Sequence, residues 1–225
     1  MLCMNKKKLL FKKFLSLLVL LGTLITICFF PLLVQAESID DISLLRVSIS
    51  DFITGNRLAG TSRFTFIPHK DFGTTTISHM NEALWEWNHN LPSGIEGIYR
   101  DPVVRHSATN YPTKDGINRI YRKNIYSTEY VGQATWYTVN GITTEADINL
   151  NMYYNWANSA QPNAFDVWTV FLHEAGHVYG LADIDPDNAA NDVYKSRVMY
   201  GEVAKNTTKR YITSAEVNIL QFIYS

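Results

Sequence analysis

His173-Glu174-Ala175-Gly176-His177 is the stretch whose residue types and spacing could do chemistry. On an α-helix, four residues advance about 400° and about 6 Å, so His173 and His177 leave one face a turn apart and can both reach one metal ion. Glu174 is turned about 100° from His173, beside such an ion rather than on it, where its carboxylate can take a proton from water. Gly180 lets the helix end in a left-handed conformation and the chain turn back sharply. That return can bring Asp183 under the same ion as a carboxylate ligand. No histidine follows His177, so a carboxylate or a distant residue must complete the set. Asp183 fits by spacing, and Asp185, two residues on, stays open. Zinc suits these donors.

The run from His173 to Asp183 reads H-E-x-x-H-x-x-G-x-x-D and resembles the zinc signature of the metzincin peptidases, while Ser196-Arg197-Val198-Met199-Tyr200 resembles their Met-turn. Three further stretches are similar to matrixins: Phe165 through Glu174 to their active-site helix, 142–148 to their substrate-aligning strand, and 211–217 to the start of their last helix. Aspartate at 183, where most matrixins have histidine, is similar to snapalysin, a small secreted bacterial metzincin. The resemblance implies a zinc-dependent endopeptidase acting on peptides or proteins. Zinc would sit on His173, His177 and Asp183, with Glu174 as general base and Met199 as an apolar floor. Substrate would lie antiparallel to the 145–153 strand, and 200–212 would wall the pocket for the residue after the cleaved bond. An anionic third ligand lowers the charge of the centre and weakens its Lewis acidity.

Two other readings compete. A thermolysin-like peptidase would use Glu202 as third ligand but leaves Gly180 and Met199 unexplained. A non-catalytic secreted zinc module would have no use for Glu174. Residues 183–194 begin like a calcium loop, but Asn188 and Tyr194 stand where an EF-hand needs Gly and Glu. What remains for Ca²⁺ is an irregular site on Asp185, Asp187 or Asp192. His69, His79, His89 and His106 read as isolated, and Asp115-Gly116 reads as a turn.

The elements that must position these residues follow from patterning. Arg63–Ile67 reads as a strand bounded by Pro68. Thr74–Thr76 supply N-cap candidates for a helix with Ile77, Met80, Leu84 and Trp87 on one face, ending before Leu91-Pro92. Strands are expected at 117–121 and 131–139. The stretch 145–153 alternates, with Ile148, Leu150 and Met152 opposite Asp147, Asn149 and Asn151, which predicts an edge strand with one solvated face. Phe165–Tyr179 reads as the helix of the histidines. Thr213-Ser214-Ala215-Glu216 is a capping box opening a last helix with Val217, Leu220 and Tyr224 on one face. The class is α/β (α+β), helices packed on a sheet. The resemblance refines this to a twisted, mostly parallel five-stranded sheet with an antiparallel edge strand, about three helices, and a zinc cleft between a larger N-terminal and a small C-terminal subdomain.

Composition bounds the rest. The 225 residues are 46% hydrophobic and 18% charged, enough for a core and too apolar for wholesale disorder. Five lysines precede an apolar run from Phe14 to Leu33 and the small residues of Val34-Gln35-Ala36, so residues 1–36 read as a secretory signal peptide. An uncleaved membrane anchor is the alternative. Without the leader, 15 basic residues face 21 acidic ones, a net charge of −6, and both cysteines, Cys3 and Cys28, are gone. The expected organisation is a lead-in or short pro-segment at 37–60 and a catalytic domain at 61–225. The product would be a secreted, extracellular and monomeric protein of a Gram-positive bacterium, stapled by metal rather than disulfides, with no basic patch for nucleic acid and no second membrane span.

Overall fold

The computed structural model describes residues 49–110, 112–184 and 192–225. The leader, the first part of the lead-in, and Asp185 and Asp187 lie outside these. A single compact unit spans Ile49–Ser225, so the described part of the lead-in belongs to it. Among the described residues no helix is long and apolar enough to cross a membrane.

Five strands, β1 (Phe64–Pro68), β2 (Ile98–Arg100), β3 (Arg119–Lys123), β4 (Gly132–Val139) and β5 (Ile142–Asn151), form one sheet in the order β2-β1-β3-β5-β4. All neighbours run parallel except β4, which is antiparallel to β5. Asn140 and Gly141, both at positive φ, make the tight turn between β4 and β5, the backbone that a twisted two-residue hairpin requires. Two short strands, β6 (Trp156–Ala157) and β7 (Phe165–Asp166), pair separately. The mostly parallel sheet with an antiparallel edge is thus as expected.

Helix α1 (Thr74–His89) buries Ile77, Met80, Ala83, Leu84 and Trp87. Its N-cap is Gly73 and makes no side-chain cap bond, so the three threonines fall inside the first turn rather than before it. Helix α2 (Val167–Tyr179) is buried almost all round, as a helix between a sheet and other helices must be. Trp87 ties α1 to it by donating Nε1–H to the Leu172 carbonyl at 2.8 Å. Helix α3 (Ser214–Tyr224) buries Ala215, Glu216, Ile219, Leu220 and Tyr224; Val217, expected inside, is half-buried because Glu216 takes the inward position.

The largest departure concerns β5. It is not an edge strand: β3 and β4 flank it, and its polar side chains are buried rather than solvated. Glu145 accepts the N–H groups of Asp115 and Gly116, Asp147 that of Arg119, and Asn149 that of Lys123. Asn151 donates to the carbonyls of Ser127 and Tyr130. Alternation reports that one face is polar; it does not report what covers that face. Here the polar side chains bind backbone groups at the two ends of β3 and in the loops before and after it, which would otherwise be stranded. The Asp115-Gly116 stretch is the expected turn, closed by an Asp115–Arg119 ion pair.

Asp147 Oδ2 is buried and has no hydrogen-bond partner among the described residues. Burial pushes this carboxyl up to about 7, opposed by the Arg119 N–H and reinforced by the charge of Glu145. A carboxyl raised above its unfolded value binds more protons folded than unfolded, so stability declines as pH rises through that window. Asp147→Asn is expected to gain on wild type by about 2 kcal/mol between pH 5 and pH 8. Urea denaturation at both pH values checks this; a constant difference between the two proteins would refute it.

Candidate metal centre

Asp166 starts the helix of the histidines by accepting the Thr169 N–H at 3.0 Å, an N-cap bond. Gly180 ends it at φ 105°, and Leu181 N–H returns to the Gly176 carbonyl. A Cβ at Gly180 would lie 2.2 Å from the Asn56 carbonyl oxygen, so both conformation and space demand glycine there. The chain leaving the helix is held by the lead-in: Thr54 N–H donates to the Gly180 carbonyl and Ala182 N–H to the Phe52 carbonyl, both at 2.9 Å. Asp183 follows directly.

This return brings His173, His177 and Asp183 together, with one ligand atom from each lying within 4.8 Å of the others. Asp183 Oδ1 is 3.1 Å from His173 Nε2 and 3.6 Å from His177 Nε2. Both rings are fixed from behind: His173 Nδ1 lies 2.8 Å from the Val198 carbonyl and His177 Nδ1 2.9 Å from the Leu181 carbonyl. A carbonyl only accepts, so each Nδ1 carries the proton and each Nε2 is left for the common point. No other group of three or more such donors occurs among the described residues, and Glu202 is not part of this one. Glu202 lines the same cleft. Asp185 and Asp187 lie outside the described residues, as does the Asp192 side chain, and the calcium expectation with them.

Met199 lies beneath the helix between the histidines. A Cβ on Gly176 would be 2.3 Å from its sulfur. The turn that carries Met199 is clamped twice. Its N–H donates to buried Glu216 Oε1 at 2.8 Å, and its carbonyl accepts the Ile184 N–H at 2.7 Å. Glu216 Oε2 closes the capping box on Thr213.

Glu174 is buried where α2 crosses β4. It accepts the Ala134 N–H, and a Cβ on Gly132 would be 2.4 Å from its Oε1. Burial, then the charge of Asp183, raises its carboxyl to about 7 against the pull of His173 and that N–H. Trp136 stacks on the His177 ring, centroids 6.1 Å apart. Gly132 and Ala134 were not singled out from the sequence, although a glycine inside a strand is a sign of close approach. The Val131–Asn151 hydrogen bond sets the pairing parity, which turns the N–H and C=O of Gly132, Ala134 and Trp136 outward, away from β5. The backbone edge beside the centre is therefore β4 and not 145–153, whose backbone is engaged on both sides. The cleft between β4 and α2 encloses about 710 Å³. Its lining also includes Val198 and, from the 200–212 segment, Tyr200, Gly201, Glu202, Val203 and Lys209. His69 and His106, read as isolated, pack ring to ring at 5.2 Å beside the sheet, away from this cleft.

Neither a protein-family model nor a curated protein matches the sequence. Among solved structures the chain is similar to high choriolytic enzyme 1, a hatching enzyme zinc-protease of the medaka fish Oryzias latipes, at 11% identity and a TM-score of 0.39 over 79% of this chain and 96% of that one. It is also similar to metalloproteinase-II of Bacteroides fragilis, at 15% identity and a TM-score of 0.41 over 76% of this chain and 55% of that one.

Without a metal, burial depresses the His173 imidazole, but the bond to Asp183 and the charges of Glu174 and Asp183 outweigh it and hold the ring at about 9. Burial and the His173 charge push His177 down to about 4. A metal must displace the His173 proton. Zinc affinity is therefore expected to fall about tenfold for each pH unit between pH 8 and pH 6, with about one proton released per ion. Chelator-competition titrations and calorimetry in buffers of different ionisation enthalpy measure both; a pH-independent affinity would contradict the arrangement.

Proposed function

We propose that this chain is a secreted zinc-dependent endopeptidase of the metzincin type, with His173, His177 and Asp183 as zinc ligands and Glu174 as general base. The observation that carries the reading is the convergence of three ligand atoms backed by two pinned Nδ1–H groups, with a buried carboxylate and a β-strand edge alongside. These donors fit zinc: two neutral imidazoles and one carboxylate make a three-ligand set that leaves a position for water or substrate. When bound, zinc would polarise a peptide carbonyl and lower the pKa of water.

The protein's own residues supply the rest. The outward N–H and C=O groups of Gly132 and Trp136, with the Ala134 carbonyl, can pair with an extended peptide as an added strand, which lays its backbone across the cleft. Glu174, at the crossing of α2 and β4, would hold the attacking water, take its proton and pass it to the leaving nitrogen. Without a metal, burial raises this carboxyl to about 7; a cation held beside it would pull it back down, leaving it ionised and able to accept a proton. The leader at 1–36 is the support for export.

The test uses protein recovered from the culture medium, whose first residue is expected to be Glu37. Glu174→Gln should keep about one zinc per chain and lose at least a hundredfold in casein hydrolysis. Asp183→Ala should lower zinc affinity at least tenfold, while Glu202→Ala should keep its zinc. A zinc-loaded wild type that cleaves no peptide would sink the peptidase reading. Zinc loss in the Glu202 variant but not in the Asp183 variant would overturn the ligand set.

A further inference from the structure

Among the described residues that line the cleft, Lys209 is the only lysine or arginine, and its main chain is tied to α2. Its N–H donates to Thr169 Oγ1 at 2.8 Å, and the Thr169 hydroxyl donates to Asp166 Oδ2 at 2.8 Å. Asp166 is fully buried and is gripped by both Arg210 donors, at 2.6 and 3.0 Å. Thr169 stands four residues before His173, one helical turn along the same face, or about 6 Å. The main chain of Lys209 is thus fixed beside the helical turn that precedes His173, and its side chain lines the same cleft as the ligand cluster.

Its surroundings leave the charge under-compensated. The ammonium lies 5.0 Å from the Tyr200 ring centroid and 3.5 Å from the Glu202 carbonyl, on a wall that also holds Val170, Val198 and Val203. No ion pair among the described residues includes it. Glu216, the buried carboxylate whose charge acts on it, spends its oxygens on Met199 and Thr213. Burial lowers the lysine's pKa despite the opposing pull of Glu216 and Glu202. A half-desolvated ammonium over an aromatic face gains most from a carboxylate that arrives with a ligand.

We infer that Lys209 forms a carboxylate-recognising subsite, so that the preferred substrate presents an acidic group at the residue next to the cleaved bond. This rests on the peptidase reading above. The carboxylate can be an Asp or Glu side chain, or the C-terminus of a short peptide, and the two place the same group on the same ammonium.

The experiment compares two peptide pairs. One pair has Glu or Gln after the cleaved bond and an amidated C-terminus; the other ends at a Leu in that position, as free acid or as amide. For each, kcat/KM is measured with wild type and Lys209→Met, and binding is measured by calorimetry to zinc-loaded Glu174→Gln protein with and without Lys209→Met. Wild type should favour the acidic member of at least one pair by about tenfold or more, and Lys209→Met should bring that ratio near one. The pair that shows the preference identifies the source of the carboxylate. Ratios cancel any general loss in the variant. Cleavage without an acid preference, or a preference that survives Lys209→Met, would mean that the lysine only packs on Tyr200. Acid-selective binding without any cleavage would leave the subsite standing and remove the peptidase reading.

Discussion

The centre depends on two imidazole rings that each give their Nδ1–H to a main-chain carbonyl, because that bond sets the tautomer and aims both Nε2 atoms at Asp183. Neither carbonyl belongs to the helix. Leu181 supplies one, and it is in place only because Gly180 turns the chain at φ 105° under the Asn56 carbonyl. Val198 supplies the other, from a turn that Glu216 holds by the adjacent Met199 N–H. Removing one partner of a buried hydrogen bond costs about 1–3 kcal/mol. The same energy here also sets ring orientation, so stability and metal geometry are coupled through Glu216 and Gly180.

The sheet imposes the second constraint. Because β5 is flanked on both sides, the free strand edge beside the centre is that of β4, and α2 lies close enough for Glu174 to take the Ala134 N–H. That approach needs Gly132, just as the approach of Met199 needs Gly176. Small residues at two crossings thus let strand, helix and turn converge on one cleft. On the other side of β5, side chains bind the backbone of 115–130, so the segment that leads into β4 is anchored to the strand beside it. An alternating strand was legible in the sequence; its place in the sheet was not, since a polar face reads the same whether water or loop backbone covers it.

What the sequence by itself determined is local. His173, Glu174 and His177 share a helix because i to i+4 spacing is a property of the helix, and Gly180 ends it because few other residues tolerate that backbone. The capping box at Thr213–Glu216 is equally local. Only the tertiary structure decided that Asp183, rather than Glu202, stands with the histidines, and that the lead-in stretch Phe52–Thr54 holds the return. It also brought Glu216 to Met199 and Lys209 to the wall of the cleft. These contacts join residues remote in sequence or set by the path of a loop. Short-range periodicity reports which face of an element is apolar, and carries no information about which distant segment will meet it.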